Sequence, residues 1–152
     1  MRPGDRLVCI LLDPQPVEYT FKKWPLHITI VPWFRMDQSS ALLAEELKEH
    51  YIGAQPFTIT VGSEAKFGYK KQKLVNLVSA PMLMRIEGQT RRLLHQYKAW
   101  IVDEADETRN FRPHITAQEG EQAKEGSSIN CDRACIISQQ GGYKRIEAEI
   151  IL

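Results

Sequence analysis

Two histidines and two threonines recur in one pattern. His27-Ile28-Thr29 and His114-Ile115-Thr116 are the same tripeptide, 87 residues apart. Two copies of His-Ile-Thr arise in fewer than about one in a thousand shuffles of a chain of this composition, so the repeat calls for a cause. Opening a phosphodiester needs a base to take a proton from the attacking hydroxyl or water, and an acid to give one to the leaving oxygen. Imidazoles, with an unperturbed pKa of ~6.5, do both at neutral pH. Threonine hydroxyls can donate to the non-bridging oxygens, whose charge is held or grows in the transition state. This chemistry calls for no metal and no cofactor.

Such a set works only if the backbone brings it together. Along a strand alternate side chains face opposite ways, so His27 and Thr29 share one side while Ile28 and Ile30 share the other. His114 and Thr116 oppose Ile115 and Ala117 in the same way. Each tripeptide is then half core and half site. If the two halves are related by a pseudo-twofold, two imidazoles and two hydroxyls surround a common point across a cleft, a place suited to a phosphate.

The apolar pattern predicts elements that would hold them. An apolar run at residues 7–12 reads as a central strand stopped by Asp13-Pro14, and a second strand is expected over 26–34. Asp37-Gln38-Ser39-Ser40 is a helix-start signature leading into an amphipathic helix over 41–51, closed by Gly53. A half-buried strand at 57–61, a Lys- and Gly-rich loop at 66–73 and a strand at 74–79 complete the first half. In the second half the three- and four-residue steps of Leu83, Ile86, Thr90, Leu94, Tyr97 and Ile101 predict one long helix over 82–102. A strand over 111–118 follows, then a polar loop over 119–130 and strands at 134–138 and 143–151 joined by a turn at Gln140-Gly141-Gly142. The hairpin favours an α+β fold with antiparallel pairing over a doubly wound parallel sheet.

Length and composition fit that picture. A chain of 152 residues, 43% hydrophobic, is expected to form a single domain over 1–152. With 20 Lys+Arg against 19 Asp+Glu, the net charge of +1 lacks the overall footprint of a long-duplex binder, so nucleic-acid recognition would be local. No basic leader precedes an apolar run and no stretch has bilayer-spanning length, which predicts a cytoplasmic chain without a membrane partner. Cys9 sits in an apolar run, and the Cys131 and Cys135 pair lacks a second pair at zinc spacing; reduced thiols and no metal site are expected. No sustained heptad implies a protein partner.

The two tripeptides, the context Phe111-Arg112-Pro113-His114 and the closing Ser138 to Gly142-Tyr143 resemble the two-histidine phosphoesterase superfamily, which includes 2′-5′ RNA ligases, LigT-like proteins and cyclic phosphodiesterases. The resemblance implies a bilobal α+β fold, with two pseudo-twofold-related antiparallel sheets, helices outside and a central groove. It implies catalytic His27 and His114, with phosphate contacts from Thr29 and Thr116. The activity implied is a metal-independent phosphodiesterase, reversible to RNA ligation, on 2′,3′-cyclic or 2′-5′ linkages of RNA ends or small nucleotides. A nuclease for cyclic or 2′-5′ linked signalling oligonucleotides and a noncatalytic RNA- or nucleotide-binding module are the alternatives; two complete motifs speak against the last. The chain departs from the family where a helix commonly precedes the first motif, since only residues 14–25 are available for it.

Further candidates for substrate binding surround these positions. Arg112 shares the parity of His114 and could add charge at the phosphate, while Arg109 is expected on the surface. Trp24, Trp33 and Phe34 flank the first motif and could stack a base or pack a strand end. Lys66, Lys70, Lys71 and Lys73, interleaved with Phe67 and Tyr69, form a basic aromatic cluster that could track a nucleic-acid backbone or simply be solvated. Tyr143 could reach the groove or edge the core. His50 and His95, on helices without a threonine two places on, are read as structural or solvated.

Overall fold

The computed structural model describes residues 1–103 and 110–152. Among the described residues, ten strands and two α-helices follow in the order β1 (Arg6–Leu11), β2 (Thr20–Phe21), β3 (His27–Arg35), α1 (Ser40–His50), β4 (Phe57–Phe67), β5 (Lys73–Val78), α2 (Pro81–Gln96), β6 (Trp100–Ile101), β7 (His114–Thr116), β8 (Ser128–Cys131), β9 (Arg133–Gln139) and β10 (Lys144–Ile151). The strands pair in the order β2-β10-β9-β1-β3-β7-β5-β4-β8, with β6 against β3. Each of these pairings is antiparallel, as the α+β reading expects. The two half-sheets are not separate: they share an edge where β3 meets β7.

Each face of this curled sheet has its own apolar layer. On one face Ile28, Ile115, Val8, Ile10 and Ile30 pack with Leu43 and Leu47 of α1 and Leu83, Ile86, Leu93 and Leu94 of α2. On the other face of the first half-sheet, Leu7, Cys9, Leu11, Phe21, Cys135, Ile137 and Ile146 form a second cluster. All six residues of β1 are buried, which is why residues 7–11 run apolar without alternation. Ser39 starts α1 by accepting a hydrogen bond from the Leu42 backbone N–H at 3.2 Å, one of the donors that a helix N-terminus leaves open.

Several expected boundaries shift. The long helix ends at Gln96, because Lys98 turns into the left-handed region at φ 56° and Ile101 leaves helix for a short strand on the edge of β3. Ile101 is buried in the core all the same, so its spacing continued the helical pattern by coincidence. The strand expected over 111–118 shrinks to His114–Thr116, preceded by Pro113, which has no N–H to extend the ladder. The polar loop at 119–130 contains most of β8, which pairs with β4 from Phe57↔Cys131 to Thr60↔Ser128. Residues 12–26 hold no helix; Thr20–Phe21 instead adds to β10. Arg109 lies outside the described residues.

Candidate active site

The two tripeptides meet at their central residues. Ile28 of β3 pairs with Ile115 of β7, and both are buried in the helix-side core. An antiparallel register centred on that pair sets His27 opposite Thr116 and Thr29 opposite His114, all four on the face that the isoleucines leave. Cross-strand neighbours of this kind have Cβ atoms ~4.5–5.5 Å apart. Thr29 and His114 line one cavity together, as that register requires. The pseudo-twofold therefore runs between the strands at Ile28 and Ile115, and each imidazole sits beside the other motif's hydroxyl. Flanking strands hold the pair in place: Cys9, Ile10 and Leu11 of β1 pair with Thr29, Ile28 and His27, while Val75, Asn76 and Leu77 of β5 pair with Thr116, Ile115 and His114. A bulge in β3 follows Thr29, between the Cys9↔Thr29 and Val8↔Val31 pairs; bulges of this sort re-aim side chains beside sites.

Both imidazoles are anchored alike. His27 Nδ1 donates to the Pro25 carbonyl at 2.8 Å, and His114 Nδ1 donates to the Arg112 carbonyl at 2.7 Å. In each case the acceptor lies two residues back, the tautomer is fixed, and Nε2 is the nitrogen left for proton transfer. Each ring also leans on an aromatic side chain that carries a cation on its face. Trp24 lies 4.4 Å from His27 at 30° with Lys144 Nζ 5.5 Å above the indole, and Phe67 meets His114 edge-on at 4.8 Å with the Arg112 guanidinium 4.5 Å from its ring.

The two sides differ in solvent access. Residues 12–26 fold over the first half-sheet, so that Phe21 and Trp24 cover the second apolar cluster beside His27. Burial chiefly lowers the His27 pKa; the Pro25 carbonyl pulls it up and the nearby His114 pushes it down further. On the His114 side a cavity of about 510 Å³ opens, lined by Thr29, Phe67, Phe111, Arg112, Lys66 and Lys71 among others, a size in the range of small-ligand sites. Arg91 and Asp103 also line it, joined by hydrogen bonds of 2.9 and 3.1 Å, with Glu87 on the same guanidinium at 2.6 Å. A smaller depression of about 330 Å³ adjoins Trp24 and Pro25 on the other side.

The structure thus brings His27, Thr29, His114 and Thr116 to one face and sets Arg112 and Lys66 at the cavity that Thr29 and His114 line. Trp33 packs against the second apolar cluster, 6.3 Å from Trp24, and Phe34 is fully buried. Tyr143 is 41% exposed at the β9–β10 turn and shares a depression with Thr20, Phe21 and Lys22, not with His114. Ser138 is buried and donates its hydroxyl to Glu147 at 2.6 Å. His50 ends α1 with Nδ1 on the Glu46 carbonyl, and His95 lies on α2. Sequence reasoning missed the stacking of Trp24 on His27; an aromatic residue three places before a motif histidine was the available signal.

Paired His-Ile-Thr strands side by side on one antiparallel sheet are the arrangement expected of the two-histidine phosphoesterase superfamily. The chain belongs to the 2′-5′ RNA ligase superfamily, whose sequence model matches residues 6–137. No curated protein matches the sequence. Among solved structures, TT0787 of Thermus thermophilus superposes with a TM-score of 0.63 at 13% identity, covering 97% of each chain. E. coli LigT complexed with 3′-AMP gives 0.59 at 15% identity over 99% of each, and LigT complexed with NADP+ gives 0.56 at 14% over 99% of each. These likenesses are of fold.

Proposed function

We propose that this chain is a metal-independent phosphodiesterase that opens 2′,3′-cyclic or 2′-5′ linkages of RNA ends or small nucleotides, and runs as a ligase when a ribose hydroxyl replaces water. The observation that carries the reading is the Ile28↔Ile115 pairing, which sets two imidazoles and two hydroxyls on one face. His27, kept neutral by burial, accepts through Nε2 the proton of the attacking water. The water oxygen bonds to phosphorus, the bond to the leaving ribose oxygen breaks, and His114 gives that oxygen a proton from Nε2. Thr29 and Thr116 donate to the non-bridging oxygens, and Arg112 and Lys66 add positive charge at the cavity. Ligation uses the same residues: a ribose hydroxyl takes the place of the water, gives its proton to His27 and bonds to phosphorus, while one P–O bond of the cyclic phosphate breaks and the freed oxygen takes its proton from His114. The complex of E. coli LigT with 3′-AMP makes a nucleoside phosphate the first ligand to test. A cytoplasmic setting, where thiols stay reduced, is part of this proposal; Cys9 and Cys135 share a buried thiol–thiol hydrogen bond at 3.7 Å.

The experiment is turnover of nucleoside 2′,3′-cyclic phosphates by the wild type, His27→Ala and His114→Ala, each with and without excess EDTA. Each variant should lose about 10²–10⁴-fold while staying folded by circular dichroism, and EDTA should change nothing. A folded histidine variant with near-wild-type turnover, or EDTA loss restored by zinc or manganese, refutes the mechanism.

A further inference from the structure

We propose that the tip of the β4–β5 hairpin binds the single-stranded RNA leading into the reacting phosphate, which makes an oligonucleotide end, and not a free mononucleotide, the preferred substrate. The proposal rests on the phosphodiesterase reading above. The tip, residues 66–73, holds Lys66, Lys70, Lys71 and Lys73 and no acidic residue. Four lysines in eight residues give this turn a local charge of +4, on a chain whose other 16 cationic residues face 19 acidic ones. A polyanion meets its attraction here.

Three features tie the tip to the site. Lys66, Phe67, Gly68 and Lys71 line the cavity that Thr29 and His114 line, so the basic turn opens straight onto the candidate reaction centre. Tyr69 stands two residues beyond Phe67, at most ~7 Å along the chain, and is 84% exposed with Lys70 Nζ 5.4 Å from its ring. An aromatic face left in water beside a cation is a platform on which any base can stack. Lys70 and Lys71 also take left-handed backbone conformations at φ 57° and 52°, which glycine would adopt without strain. Stacked bases rise ~3.4 Å per nucleotide, so the platform serves the one or two nucleotides upstream of the reacting phosphate.

Tyr69 and Lys70 lie outside the cavity lining, so they separate the two substrate classes. Turnover of adenosine 2′,3′-cyclic phosphate and of a short oligoribonucleotide ending in a 2′,3′-cyclic phosphate should be compared across a salt series. The wild type should favour the oligonucleotide. Tyr69→Ala should lower kcat/KM on the oligonucleotide roughly tenfold and leave the mononucleotide unchanged, with Tyr69→Phe close to wild type. Lys70→Gln should make the log–log salt dependence for the oligonucleotide shallower by about 0.7. Equal effects on both substrates, or none on either, overturn the proposal while leaving the phosphodiesterase reading intact. If the wild type turns over neither, that reading fails, and anisotropy of a labelled oligoribonucleotide judges the hairpin alone: weaker binding by Lys70→Gln supports it and unchanged binding overturns it. Competition by polyglutamate as strong as by RNA also overturns it, since the tip would then be an acidic-protein site.

Discussion

Gly62 lets the fold constrain the candidate site from two strands away. A β-carbon there would stand 2.7 Å from the Leu77 carbonyl oxygen, whereas ordinary contact begins at 3.4 Å. Gly62→Ala must therefore move β4 and β5 apart locally by about 0.7 Å, the difference between those distances. Leu77 is the register partner of His114, and Asn76 beside it donates from Nδ2 to the Gly62 carbonyl at 3.1 Å, so the displacement reaches the motif directly. Overpacking of this kind costs about 1–3 kcal/mol. At ~2–4 °C per kcal/mol for a chain of this size, the melting temperature should fall by roughly 2–12 °C. A misplacement approaching 1 Å costs up to about 10² in rate, so kcat/KM should fall about tenfold to a hundredfold. Gly88→Ala is the control: inside α2 with open space around the new carbon, it should stabilise by about 1 kcal/mol and leave kcat/KM alone. Thermal melts by circular dichroism and turnover of a 2′,3′-cyclic nucleotide read both quantities. A Gly62→Ala protein with wild-type melting and wild-type kcat/KM refutes the reasoning.

Thr29→Ala or Thr116→Ala removes a hydrogen bond to a charged oxygen, about 1.5–3 kcal/mol, and should lower kcat/KM roughly tenfold to a hundredfold, with serine much milder. Serine as damaging as alanine in steady-state kinetics would make the threonine a packing element. The base must be neutral to act, so activity is lost as pH falls through the His27 pKa; burial lowers that pKa, and the acid limb of the kcat/KM profile should lie below ~6.5. Trp24→Leu, which uncovers one face of the ring, should move that limb upward, and a wild-type limb at or above ~6.5 would remove His27 from the role of base.

What the chain reveals before folding depends on the range of the interaction. His27 and Thr29 can be assigned to one side of a strand because side-chain alternation is local, and the buried Ile28 and Ile115 at the centres of the two motifs agree. That Ile28 would lie against Ile115 is a fact about which strand edges meet, and neither tripeptide encodes it by itself. Strand β8 hid in a polar loop because it is a short edge strand with its outward side chains in water. The end of α2 carried no glycine or proline to mark it; a lysine takes the left-handed turn instead. The unequal burial of the two histidines depends on where residues 12–26 fold back, which spacing along the chain does not specify.

The carbonyls behind the two imidazoles bear on the kind of guest the site tolerates. A hydrolase that orients its histidine with a carboxylate places a full negative charge behind the ring, which helps when the ring must become cationic beside a neutral ester. Here the acceptors behind His27 and His114 are the neutral oxygens of Pro25 and Arg112. A phosphodiester arrives already anionic, and a carboxylate behind each imidazole would repel it through a weakly screening interior. Orientation by backbone dipoles fixes the rings with no such repulsion. It also ties each ring to a peptide unit only two residues away, so the aim of each proton-transfer atom moves with the backbone that carries it and needs no orienting side chain from another element.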